Sequence, residues 1–130
     1  IPYREEFTVT LGTSLNDAYQ DMLKYLEKNP VLPTAYFADN DMIALGAMKA
    51  LQEKGYRIPE DVSIVGFDDL PFSEISSPGL TTLRVPNREM GKMAVRRAAE
   101  LIEGIAADAV TKTQVCPKIV YRDTVKRILE

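Results

Sequence analysis

Apolar and polar positions along this chain recur with two periods, one that suits strands and one that suits helices. Phe7–Leu11 (F-T-V-T-L) alternates as a strand does. Over Ser14–Lys28, Leu15, Ala18, Tyr19, Met22 and Leu26 return at helical spacing until Asn29-Pro30 stops the run. Thr34–Ala38 reads as a second strand, and Asp41–Lys54 as a second helix that Gly55 ends. Pro59-Glu60-Asp61 turns the chain into an apolar strand, Val62–Gly66. Phe67–Gly79, with Pro71, Pro78, Gly79 and three serines, reads as an irregular loop. Leu80–Val85 is a short extended run. Arg88–Ile105 is the longest helix, with Met90, Met93, Ala94, Ala98, Leu101 and Ile105 on one stripe. Thr113–Tyr121 is a last strand in which Pro117 favours an edge or a bulge. This alternation predicts an α/β fold, an αβα sandwich around a mostly parallel sheet.

In such a sheet, ligands bind beyond the carboxyl ends of the strands. Three loops leave those ends: Gly12-Thr13-Ser14, Asp39-Asn40-Asp41 and Phe67-Asp68-Asp69. Their short side chains accept and donate to hydroxyl groups, so the rim suits a neutral polar ligand and repels phosphate. Asn40 or Asp39 also serves as a helix cap, with Asp41 complementing the dipole. Asp68 and Asp69 follow a strand, where neighbouring side chains point opposite ways, so one carboxylate faces a ligand and the other caps a turn.

Composition narrows the chemistry further. The 130 residues are 45% hydrophobic and 27% charged, the balance of one globular domain or a large piece of one. A net charge of −3 argues against direct binding of nucleic acid by this stretch. The absence of histidine removes His-based triads and the commonest metal ligand. Neither a paired-carboxylate hydrolase nor an EF-hand-type metal site has the second acid or the spacing it needs. Gly66 and Gly91 stand alone, outside any phosphate-binding glycine motif. The reading is therefore non-enzymatic, with no cofactor and no metal. Cys116, alone in the chain and inside the last strand, is expected to pack inertly. No apolar run reaches a membrane span and no signal peptide opens the chain, which starts at Ile1 as if inside a longer protein.

Three motifs in order, P-T-A-Y-F-A-D-N-D-M-I-A-L-G-A-M-K-A-L, I-P-E-D-V-S-I-V-G-F-D-D-L and P-G-L-T-T-L-R-V-P-N-R-E-M-G, resemble the LacI/GalR family of bacterial transcription regulators over about residues 7 to 125. The resemblance implies the periplasmic-binding-protein-like (type I) effector domain, in which two αβα subdomains close on a small molecule. Residues 1–85 and 113–125 would be its C-terminal subdomain, and residues 86–112 a crossover helix of the other. A helix-turn-helix domain contacting operator DNA, with most of the other subdomain, would lie upstream of this chain. Asn40 and Asp68 match family positions that hydrogen-bond the effector. Thr13 stands where many relatives stack an aromatic residue, and Val85 where a glutamine is frequent, with Asn87 two positions beyond. The resemblance thus implies a cytoplasmic regulator sensing a sugar-like effector; the rival reading is a periplasmic sugar-binding protein of a transport system.

Helical angles add a surface. At about 100° per residue, Ile43, Ala44, Ala47, Met48, Ala50 and Leu51 share the face that packs on the sheet, while Met42 and Leu45 fall beside Lys49, Gln52 and Glu53. Family members pair through this helix and the loop after V-G-F-D-D. The resemblance therefore implies a homodimer interface of Met42, Leu45, Lys49, Phe72 and Ile75 about a two-fold axis.

Overall fold

The computed structural model describes residues 5–105 and 110–127. They divide into two units: residues up to Arg84 joined by those from Ile119 onward, and Val85–Lys118.

In the first unit, α1 (Leu15–Leu26) starts at Ser14, whose Oγ accepts from the Asp17 N–H at 3.1 Å. β1 (Ala35–Phe37) leads to α2 (Asp41–Glu53), and Gly55, with φ of +87°, turns the chain out of that helix. β2 (Ser63–Asp68), the single-turn α3 (Pro71–Ile75) and β3 (Thr81–Arg84) follow. β1 pairs with β2 and β2 with β3, both in parallel, in the registers Phe37↔Val65 and Gly66↔Thr82. β4 (Lys118–Val120) follows β3 in the strand order β1-β2-β3-β4. Just after β4, Thr124 is fully buried: its Oγ1 donates to the Ile64 carbonyl at 2.6 Å and accepts from the Thr81 N–H at 2.9 Å. The returning chain is thereby stitched across β2 and β3.

α1 packs on α2, and α2 on β2. Their core holds Met22 and Leu26 from α1, Ala44, Met48 and Leu51 from α2, with Ile58, Val62, Ile64 and Leu80. The two helices approach closely at Gly46, where a Cβ would stand 2.5 Å from the Leu15 carbonyl oxygen. Glycine is required there by space.

Several boundaries differ from those the pattern predicts. Phe7–Leu11 forms no strand: Glu5–Phe7 is a 3₁₀ turn, and Thr8–Leu11 carries no ladder. Val9 and Leu11 satisfy their apolar character by packing against the core, and the run borders a cavity of about 390 Å³ beside β1. The irregular loop is shorter than expected, because β2 continues to Asp68 and Pro71 starts α3 at a position that lacks an N–H partner in any helix. The last strand shrinks to Lys118–Val120, since Pro117 has no N–H to give a ladder. Cys116 accordingly lies outside it and is exposed, not packed.

In the second unit, α4 (Asn87–Ile102) buries none of its residues. It ends before Ile105, because Gly104 adopts φ of +69° just past the cap.

Candidate functional site

The site is built at the carboxyl edge of the parallel strands. Asn40 caps α2: its Oδ1 accepts from the Ile43 N–H at 2.8 Å. The side-chain amide nitrogen has no partner among the described residues and remains a donor.

Asp41, one residue on, is wholly buried. Its Oδ1 accepts from Thr82 Oγ1 at 2.5 Å, and its Oδ2 from Ser73 Oγ at 2.6 Å and the Leu70 N–H at 2.7 Å. A buried charge is costly unless fully hydrogen-bonded; here three donors and the α2 dipole surround it. The single side chain joins α2, the loop after β2, α3 and β3. It also dictates Gly66, since a Cβ on that residue would overlap Asp41 Oδ1 and meet Leu80 Cδ2 at 3.0 Å.

The end of β2 is strained. Asp68 has φ of +109° and Asp69 φ of +57°, conformations that cost a non-glycine residue roughly 1–3 kcal/mol each and persist where surrounding bonds hold them. The extended geometry that would set the two carboxylates on opposite faces ends here, and the partners divide their roles instead. The Asp69 side chain is 7% exposed and binds Arg84 Nε at 2.5 Å and Arg122 Nη2 at 2.7 Å. Burial pushes its pKa up, but hydrogen bonds and charge from Arg122 and Arg84 prevail and hold it below the usual carboxylate value. The Asp68 carboxylate has no partner among the described residues.

Asn40 follows β1 and Asp68 ends β2. The two strands are parallel neighbours, and the Ala38 N–H continues their pairing to the Val65 carbonyl at 2.8 Å. Both residues therefore leave the sheet at the same edge. Thr13 is exposed just before the α1 cap, in a run that joins no ladder, so no strand register ties it to them. Val85 opens the second unit, so the first unit's edge is built without it.

Of the surface residues, Phe72 and Ile75 are 56% and 77% exposed on α3. Met42 is half-buried. Leu45 lies less far outside the packing face than its helical angle predicts, being partly buried against the core. The Lys49 Nζ sits 4.6 Å above the Tyr19 ring, and the Tyr19 hydroxyl donates to Glu53 at 2.5 Å. Ser73, Thr82, Arg84 and Arg122 escape the sequence reading altogether. The available signals were a threonine pair within L-T-T-L, hydroxyls on an otherwise apolar run, and a glycine inside an apolar strand, a mark of another group approaching closely.

Comparison with known proteins matches residues 2–125 to the periplasmic binding protein-like domain. The chain belongs to that family. The LacI/GalR resemblance holds as well: the chain is 40% identical over 117 residues to the HTH-type transcriptional repressor PurR of Haemophilus influenzae, an alignment covering 87% of this chain and 34% of that protein. It thus spans about a third of the length of the curated relatives it matches. A LacI family regulator of Arthrobacter solved in complex with lactose superimposes with a TM-score of 0.78 at 29% identity, over 89% of this chain and 43% of that one. The lac repressor dimer bound to operator and the anti-inducer ONPF gives 0.75 at 37%, over 85% and 38%. Membership in the periplasmic binding protein-like family agrees with the mostly parallel α/β sheet seen here. Among the described residues, no group of acidic or cysteine side chains could hold a metal, and no helix is long and apolar enough to cross a membrane.

Asp41→Asn keeps the shape of the buried side chain but offers one acceptor oxygen to three donors. It should lower stability by about 2–4 kcal/mol, since each stranded buried donor costs about 1–3. Urea unfolding reads this as a lower midpoint at unchanged slope. A loss below about 0.5 kcal/mol, the range of an ordinary surface change, would show that the carboxylate organises nothing.

Proposed function

We propose that this chain is the effector-sensing and dimerisation part of a LacI-type DNA-binding transcriptional regulator whose effector is a small neutral polar molecule, a sugar or sugar derivative. The observation that carries the reading is Asp68: a carboxylate without a partner among the described residues, held in a strained turn at the edge where Asn40 keeps a free donor. Acceptor and donor together suit adjacent hydroxyl groups. The lactose complex of the Arthrobacter relative supports a sugar, and the repressor names of the relatives favour a regulator over a transport protein. Operator binding belongs to a helix-turn-helix domain outside this acidic stretch, and the protein acts in the cytoplasm. Thr13 and Val85 are carried as further effector contacts on the family resemblance alone.

Calorimetry on the protein that carries this chain, with lactose, cellobiose and hypoxanthine as probes, tests the ligand class. A disaccharide should bind and hypoxanthine should not. Asp68→Ala should weaken that binding by about 10- to 150-fold, the loss of a charge-assisted hydrogen bond of roughly 1.5–3 kcal/mol. Hypoxanthine binding alone, or unchanged disaccharide affinity in the variant, would refute the assignment.

The same regulator pairs through Met42, Leu45, Lys49, Phe72 and Ile75. Ile75 and Phe72 already present apolar area to solvent on α3. Ile75→Lys, at a position that holds up no core, should turn a dimer into a monomer in sedimentation, as should Leu45→Lys where it folds. A dimer that survives Ile75→Lys places the interface elsewhere.

A further inference from the structure

The bonds around Asp69 have a consequence for Asp68. β3 ends at Arg84, where the chain leaves the first unit, and Arg122 follows β4, where the chain has returned to it. Asp69 takes one of these arginines on each carboxylate oxygen, Arg84 on Oδ2 at 2.5 Å and Arg122 on Oδ1 at 2.7 Å. Arg122 is itself fixed: its Nη1 donates to the Leu80 carbonyl at 2.8 Å and its backbone N–H to Thr81 Oγ1 at 2.9 Å. The register pairs Asp68 with Arg84, so the arginine that grips Asp69 stands opposite the strained residue itself. On the far side, the Leu70 N–H is held by Asp41. The two left-handed residues are thus pinned from both ends, while the Asp68 carboxylate takes no part in the pinning.

We propose that Asp69 is a positioning residue for Asp68: clamped between Arg84 and Arg122, it holds the end of β2 in the left-handed turn that keeps the Asp68 carboxylate unpaired for an effector. The clamp also joins the effector edge to the two strand ends at which the chain passes between units. An alternative in which Asp69 is a stabilising ion pair and no more leaves the Asp68 backbone indifferent to it. Arg84 is 61% exposed, and a pair to so exposed a partner contributes little stability on its own. Arg122 is the buried arm, 14% exposed, and its pair with Asp69 supports both the fold and the conformation of the turn.

The role of Asp68 in binding rests on the reading above, but the test of the clamp needs no ligand. In the isotopically labelled chain, the three-bond coupling between the Asp68 amide and α protons is small at φ of +109° and large in extended backbone. Asp69→Asn should raise it toward the extended value, and Asp69→Glu, which restores the charge, should bring it part of the way back. Ile64→Val, a core change near the start of β2 that touches neither arginine, should lower stability without moving the coupling. Where Asp69→Asn fails to fold, Arg84→Gln at the exposed arm should shift the coupling in the same direction by a smaller amount. An Asp68 coupling unchanged in the folded Asp69 or Arg84 variants, or one that moves equally in Ile64→Val, overturns the proposal. Neither outcome bears on whether Asp68→Ala loses sugar.

Discussion

A buried carboxylate at the first turn of α2 sets the conditions that the rest of the first unit meets. Asp41 has left water entirely, and a charge in that position must find donors for its oxygens or unfold the region around it. Its three donors lie 29 to 41 residues further along the chain: the Leu70 backbone, Ser73 and Thr82. Their separations in sequence mean that the β1–α2 junction, the loop after β2, α3 and β3 must assemble together. Gly66 answers the same constraint by leaving room where the carboxylate approaches β2. Polar residues inside this apolar unit are therefore one connected device.

The consequence for function is positional. With Asp41 and its dipole-bearing helix fixed, Asn40 is fixed as the cap, and its free amide end stays at the strand edge. The turn at Asp68 and Asp69 is held on one side by the Leu70 bond and on the other by two arginines. A strained backbone at the end of a central strand is where binding groups are commonly stored. The edge this produces carries acceptors and donors, and the two arginines that reach its turn among the described residues, Arg84 and Arg122, are both spent on Asp69. Such an edge favours hydroxyl groups over phosphate.

Much of this was legible in the residues. Helices α1 and α2 follow from apolar spacing and from Ser14, Asn40 and Gly55 at their ends, because caps and periodicity are local properties. The strands β1, β2 and β3 were visible for the same reason. The carboxyl-edge rule selected the loops Asp39–Asp41 and Phe67–Asp69, within which the family resemblance points to Asn40 and Asp68, but it also selected Gly12–Ser14 after a strand that does not form. What stayed hidden depends on partners distant in sequence. The pattern of Asp41 is that of an ordinary dipole-complementing residue; only the meeting with Thr82 and Ser73 shows it as a crosslink. Phe7–Leu11 has the alternation of a strand, yet a strand exists through its neighbour, and here burial of Val9 and Leu11 proceeds without a ladder. Asp69 looked like a turn cap because Arg122 is 53 residues away.

Amide hydrogen exchange at Leu70 tests the central role of Asp41 most directly. Leu70 lies in a connection between β2 and α3 rather than in a ladder, and an amide there with water as its partner exchanges through local opening. Because its N–H is bonded to a carboxylate that also ties Thr82 and Ser73, it should exchange only when the first unit unfolds as a whole. Its protection should match that of Ile64 and Leu80 amides in the core. Exchange at the rate of exposed loop amides, with the core still protected, would contradict the account.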